Sequence, residues 1–136
     1  PISRKKGFSK SALRAHLENA DIGYCHFSAL GNPKAGREAA WSGDFSRFKS
    51  IYKAHLRTKI AQSTFEEVIQ LAAKHKVCLM CFERDVKTCH RDIITDEMGI
   101  RGFDCIDLLG DDPERYVRNT DNLQGHHFGQ GLTAAE

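Results

Sequence analysis

VCLMCF, residues 77–82, is an unbroken apolar run between His75-Lys76 and Glu83-Arg84. A run this short, bounded by charge and following a helical pattern, reads as a central strand covered on both faces. Two further strand candidates flank it in the chain, DIGYCHF at 21–27 and FDCIDLL at 103–109. Helical periodicity fills the spaces between. SALRAHLENA places Leu13 and Leu17 four apart, with Ser9 or Ser11 as cap. SGDFSRFKSIYKAHL carries Phe45, Phe48, Ile51, Tyr52 and His55 at helical spacing behind Asp44. Gln62–His75 reads as a third helix, with Ser63 and Glu66 at capping-box spacing. Arg91–Met98 is a fourth, ended by Gly99. The Gly, Asn and Pro of SALGNPKAG mark a loop.

Strands alternating with helices predict an α/β fold: a three-layer, mainly parallel small sheet flanked by helices, Rossmann-like or flavodoxin-like. Three strands make a thin sheet, so the fold is expected to be incomplete at the N-terminus, with a further strand before Pro1 or from a partner such as a second copy in a homodimer. One domain over residues 1–110 is expected, followed by a polar, Gly-rich tail over 111–136.

The chain of 136 residues is 40% hydrophobic and 28% charged, which excludes a disordered composition. No stretch approaches the roughly 20 apolar residues of a membrane span, and no apolar segment follows the basic N-terminus, so no membrane association is expected. Five cysteines, an odd number, point to reduced thiols and a cytoplasmic location. A net charge of +2 leaves any basic footprint local. Arg4, Lys5, Lys6 and Lys10 form one, ahead of the first acid, Glu18.

The chemistry concentrates where the apolar run ends, in CFERDVKTCHR, residues 81–91. Cys78 and Cys105 read as packed strand residues, while Cys81 at the strand exit is ambiguous. Glu83, placed just after an apolar run, needs a hydrogen-bonding or charged partner. Cys89-His90-Arg91 stands at a helix start, where a thiol's pKa falls and anions are attracted. Adjacent side chains diverge, however, so Cys89 and His90 need not touch. Cys78-x-x-Cys81 with Cys89-His90 offers four metal donors on paper, but a strand interior aims Cys78 away. Neither metal nor cofactor is expected.

PISRKKGFSKSAL, YCHFSALGNPKAGR, SGDFSRFKSIYKAHLRT and CLMCFERDVKTCHRDII follow one another in the order of four motifs. Together they resemble the domain-of-unknown-function 488 family over roughly residues 1–106. The family usually carries a strand, a helix and a second strand ahead of the first motif; that segment is absent here. The resemblance implies a small bacterial α/β domain associated with nucleic-acid or nucleotide metabolism. It marks Arg4, Ser9, Lys10, His26, Gly31, Arg37, Tyr52, Glu83, Cys89, His90 and Arg91 as motif positions.

The expected function is binding or processing of a phosphate-bearing ligand, nucleic acid or nucleotide, in a basic cleft at the strand ends. Arg4, Lys10, Arg37 and Arg91 would hold phosphate, with Ser9, His26 and Tyr52 beside them. Glu83 or His90 would move a proton, and Cys89 would be either a thiolate or a packed neighbour, in hydrolysis or group transfer. Two alternatives stand beside it: a non-catalytic nucleic-acid-binding module, and a thiol redox or sulfur-transfer protein using Cys89. Trp41, Phe45 and Tyr52 would offer stacking surfaces if exposed, although the spacing of Phe45 and Tyr52 suits the core.

Overall fold

A computed structural model describes residues 7–108. The chain divides into two compact units, Pro1–Ile106 and Asp107–Glu136, and the first carries everything below. Arg4, Lys5 and Lys6 lie outside the described residues, as does the expected tail.

Five α-helices follow in order: α1 Lys10–Glu18, α2 Lys34–Trp41, α3 Phe45–Leu56, α4 Lys59–Ala72 and α5 His90–Ile100. Short 3-10 turns occupy Ser28–Leu30 and Val86–Thr88. The core is built around α3. Phe48, Tyr52 and Leu56 recur every four residues and so share one face, and all three are buried. α2, α4 and α5 each pack on α3. Ala61, Phe65 and Val68 come from α4 and Ile93, Ile94 and Met98 from α5, with Leu30 and Ala39 completing the cluster. α1 buries no residue fully.

The helix starts follow ordinary capping chemistry. Ser9 accepts from the Ala12 N–H and Asp44 from the Arg47 N–H. Thr58 Oγ1 accepts from the Ala61 N–H at 3.4 Å, so α4 begins at Lys59, ahead of the expected start at Gln62. The cap lies five residues before Ser63, and the Ser63/Glu66 spacing falls inside the helix. Thr58→Ala is expected to lower stability by about 1 kcal/mol, read from the urea midpoint.

The sheet is corrected outright. The described residues contain no strand, so the three-layer, Rossmann-like or flavodoxin-like α/β architecture does not hold: the described fold is helical. A helix closes its hydrogen bonds within itself, whereas a strand exists only beside a partner with which it shares a ladder. The expected strands at 21–27, 77–82 and 103–109 find no such partner among the described residues.

VCLMCF is also covered on one side rather than two. Leu79 packs on the core, while Met80 is 55% and Phe82 90% exposed. Phe27 and Phe103 play the part of Leu79 in the other two segments. Cys78 and Cys105, expected inside strands, are exposed as a consequence. The segment read as a loop, residues 28–36, runs into the start of α2: Pro33 stands immediately before Lys34, where its fixed φ suits a helix entry, and Gly36 is buried within the helix.

Candidate functional site

The residues between Cys81 and Arg91 double back on themselves. Asp85 caps the turn at Val86–Thr88, accepting from the Lys87 N–H at 2.9 Å through its side chain and from Thr88 Oγ1 at 3.2 Å through its carbonyl. The Cys89 N–H donates to the Val86 carbonyl at 3.0 Å. This turn returns the chain so that the end of the apolar run faces the start of α5.

Cys81, Glu83, Cys89 and His90 meet there, with one donor atom from each inside a set whose members all lie within 4.8 Å of one another. Cys81 Sγ donates to Glu83 Oε2 at 2.6 Å. Cys89 Sγ stands 3.7 Å from the same oxygen. His90 Nδ1 is 3.7 Å from both sulfurs. Cys89 is buried, and the other three are half-buried. Cys89 and His90 are therefore neighbours in space as well as in sequence, because the helix start turns the ring of His90 back over the cap.

Cys89 is itself the N-cap of α5. Its sulfur takes the place that a Ser or Asp oxygen normally fills, accepting from the Arg91 N–H at 3.5 Å and from Arg91 Nε at 3.4 Å. The Cys81 thiol beside it pulls the Cys89 pKa down, more than burial pushes it up, and His90 and the Arg91 donors add to the fall. Cys81 moves the opposite way, raised by the neighbouring Cys89 sulfur and by burial. The two sulfurs are thus pushed in opposite directions, Cys89 toward the thiolate and Cys81 toward the thiol.

Arg91 is consumed in holding this corner. Besides Cys89, its Nη2 donates to the Glu83 carbonyl at 2.5 Å and to the Arg84 carbonyl at 3.2 Å. Burial alone would lower the Arg91 pKa, but the Cys89 thiolate outweighs it and raises it. The guanidinium therefore fastens the turn to the helix start.

Tyr52 supports the corner from beneath. Its ring lies 5.2 Å from that of His90, and its hydroxyl donates to the Leu30 carbonyl at 2.6 Å. Burial, followed by the nearby sulfurs, raises its pKa, so it stays a phenol and a donor. His55 Nε2 meets the Ala29 carbonyl at 2.8 Å. The 28–30 turn and the cysteine corner, both following expected strands, are linked through one aromatic residue of α3.

Asp92, 4% exposed, is a feature the sequence reading missed. Lys87 Nζ reaches Oδ1 at 2.8 Å and Lys49 Nζ reaches Oδ2 at 3.1 Å. Burial favours its neutral form, but the two lysines outweigh that and hold its pKa below the usual carboxylate range. Both lysines remain about half exposed (45% and 53%), so removing the acid returns them to water. Asp92→Ala is expected to cost about 1–3 kcal/mol, less than breaking a fully buried pair, read from denaturant unfolding.

The other sequence-expected residues lie elsewhere. Ser9 caps α1, and Lys10 begins it as an exposed side chain. His26 is exposed and outside the cluster. Arg37 Nη1 donates to the Asn32 carbonyl at 2.6 Å. Tyr52 is fully buried, Phe45 is 39% exposed and Trp41 78% exposed. Arg4 lies outside the described residues.

The four donors suit a borderline-soft divalent cation such as zinc. Sulfur and imidazole nitrogen favour that class over magnesium or calcium, which take oxygen. Around a tetrahedral zinc, a sulfur and a nitrogen or oxygen donor sit about 3.5–3.6 Å apart, given bonds of about 2.3 and 2.05 Å. Three of the contacts here are 3.7 Å. The fourth, Cys81 to Glu83, is closed by a thiol proton that a metal would displace.

No helix among the described residues is long and apolar enough to cross a membrane. No curated protein and no solved structure matches the chain. Residues 1–98 do match a family model, described as Domain of unknown function DUF488, and the chain belongs to that family.

Proposed function

We propose that this chain is a metal-binding domain whose zinc-class ion is held by Cys81, Glu83, Cys89 and His90. The observation that carries the reading is the set of three 3.7 Å spacings that join the two sulfurs, the imidazole and the carboxylate. Four potential ligands at random seldom present their donor atoms rather than their stems to one point. Here the capped turn, the Arg91 clamp and the Tyr52 ring fix the backbone or ring that carries them.

The phosphate reading has less to stand on. It requires Arg4, Lys10, Arg37 and Arg91 to share one cleft, and Arg91 and Arg37 are each bonded to backbone carbonyls. The dithiol reading is favoured by one observation, that both sulfurs face the same Glu83 oxygen and His90 nitrogen, and it makes a different prediction.

Metal analysis of the purified full chain separates these readings. One zinc per chain, and a cobalt-loaded form whose charge-transfer intensity corresponds to two thiolates, is the expected result. A metal-free protein that takes up neither ion overturns it. If that protein closes a Cys81–Cys89 disulfide on mild oxidation, the dithiol reading replaces it.

A further inference from the structure

We propose that the metal centre is hydrolytic, activating water against a neutral carbonyl ester or amide, with Glu83 as the general base. This rests on the metal-binding reading above and goes beyond it. Structural zinc sites are closed by four sulfur or nitrogen donors, whereas catalytic sites keep three protein ligands and an exchangeable position. Cys81, Cys89 and His90 supply three such donors. The fourth is a carboxylate, which can leave the metal and still stay within reach of a water that takes its place.

The burial leaves the carboxylate accessible. Cys89 is 2% exposed and forms the closed side of the site. Glu83, like Cys81 and His90, is half-buried and so lies toward solvent from Cys89. The Glu83 backbone is fixed, because Arg91 holds its carbonyl and that of Arg84. Among the described residues its carboxylate is held through Oε2, by Cys81 and Cys89. A pinned backbone with a movable carboxylate is what a base beside a metal requires.

The charge around the corner selects the substrate class. Arg91 is engaged through Nε and Nη2 with Cys89 and two carbonyls, and Lys49 and Lys87 are paired with Asp92. These cations are committed to protein groups, so a neutral substrate fits the corner better than a phosphate.

In the step proposed, the metal-bound water gives a proton to Glu83, and its oxygen forms a bond to the carbonyl carbon. The tetrahedral adduct then breaks the bond from that carbon to the departing oxygen or nitrogen. The departing atom takes the proton from Glu83, the products are acid and alcohol or amine, and the metal keeps its oxidation state.

The test uses the zinc-loaded full chain with 4-nitrophenyl acetate, and the same chain stripped of metal as the baseline. The exposed thiols of Cys25, Cys78 and Cys105 can each be acetylated once, which appears as a burst, so the steady-state rate is the one compared. Glu83→Gln is expected to hold zinc through Cys81, Cys89 and His90 about 10–100-fold more weakly, and at saturating zinc its metal-dependent rate falls about 100-fold or more. In the cobalt-loaded parent, added azide is expected to shift the visible bands by occupying the exchangeable position.

Each contrary result overturns the proposal at an identifiable point. A parent that takes up no metal removes the metal reading and this one with it. A parent that holds zinc but gives no metal-dependent turnover, or ignores azide, leaves a structural site only. Loss of zinc from Glu83→Gln makes Glu83 a permanent ligand, and an unchanged rate in a zinc-loaded Glu83→Gln removes it as the base.

Discussion

Cys89→Ala is expected to weaken metal binding by more than about 100-fold, since removing even an outer-shell partner of a ligand costs about 10–100-fold. The change takes away two things together: a metal donor and the cap of α5. Cys89→Ser separates them. The hydroxyl restores an acceptor for the Arg91 N–H, and serine is a better cap than alanine by about 1 kcal/mol, yet it is a poor substitute for a thiolate on zinc. The expected pattern is therefore metal lost in both variants, with α5 weakened only in the alanine. Competition with a chromophoric chelator reads the first and the urea midpoint the second. Cys78→Ala is the control: its side chain is exposed and outside the cluster, so metal content should be unchanged. Metal retained in Cys89→Ala, or lost in Cys78→Ala, would refute the assignment of ligands.

Tyr52→Ala has the largest expected effect on stability, about 3–5 kcal/mol, as for other large aromatic side chains deleted from a core. The ring is completely buried, packs against Phe48 and His55 as well as His90, and carries the bond to Leu30. Tyr52→Phe keeps the packing and strands the Leu30 carbonyl, for about 1–3 kcal/mol. The two variants differ at the metal as well. Phenylalanine still supports the His90 ring, whereas alanine leaves it unsupported, so only Tyr52→Ala is expected to lower metal affinity beyond its effect on folding. Equal affinities in the two variants would mean that the ring contact does nothing for the site.

The helical parts of this molecule are legible because each repeats a physical signal. Phe48, Tyr52 and Leu56 recur at the helix period behind a capping Asp44, and Phe65 and Val68 do the same in α4. VCLMCF carries no such signal. Its continuous apolarity fits a strand buried on two faces equally well as an extended segment resting on one. Only Val77 in it is β-branched, and apolarity alone cannot supply a neighbouring ladder. α2 was hidden for the opposite reason: Asn32, Pro33 and Gly36 look like loop residues, and here they sit at or inside a helix start.

The site was half legible. Glu83, Cys89, His90 and Arg91 stand out by residue type and by their place at a helix start. Cys81 joins Cys89 and His90 on paper only in company with Cys78, and a strand reading that aims Cys78 away sets that group aside. The signal for the true grouping is Asp85, whose side chain caps a tight turn and so folds positions 81–83 onto 89–90. Arg91 illustrates a separate difficulty. Sequence reveals a guanidinium but not whether its donors are spent, and three of its contacts are to this chain's own atoms.

All four metal donors lie between Cys81 and His90, a span of ten residues. Closing so short a loop costs little chain entropy, and the cost grows only with the logarithm of the length. The corner therefore does not wait for the distant helices to find one another. A nascent chain that has exposed this decapeptide already holds the whole donor set, and an ion captured at that moment would tie the end of the apolar run to the first turn of α5. Docking of that pre-closed hairpin onto the Tyr52 ring would then be a late step, the one that joins a locally made site to a core assembled elsewhere.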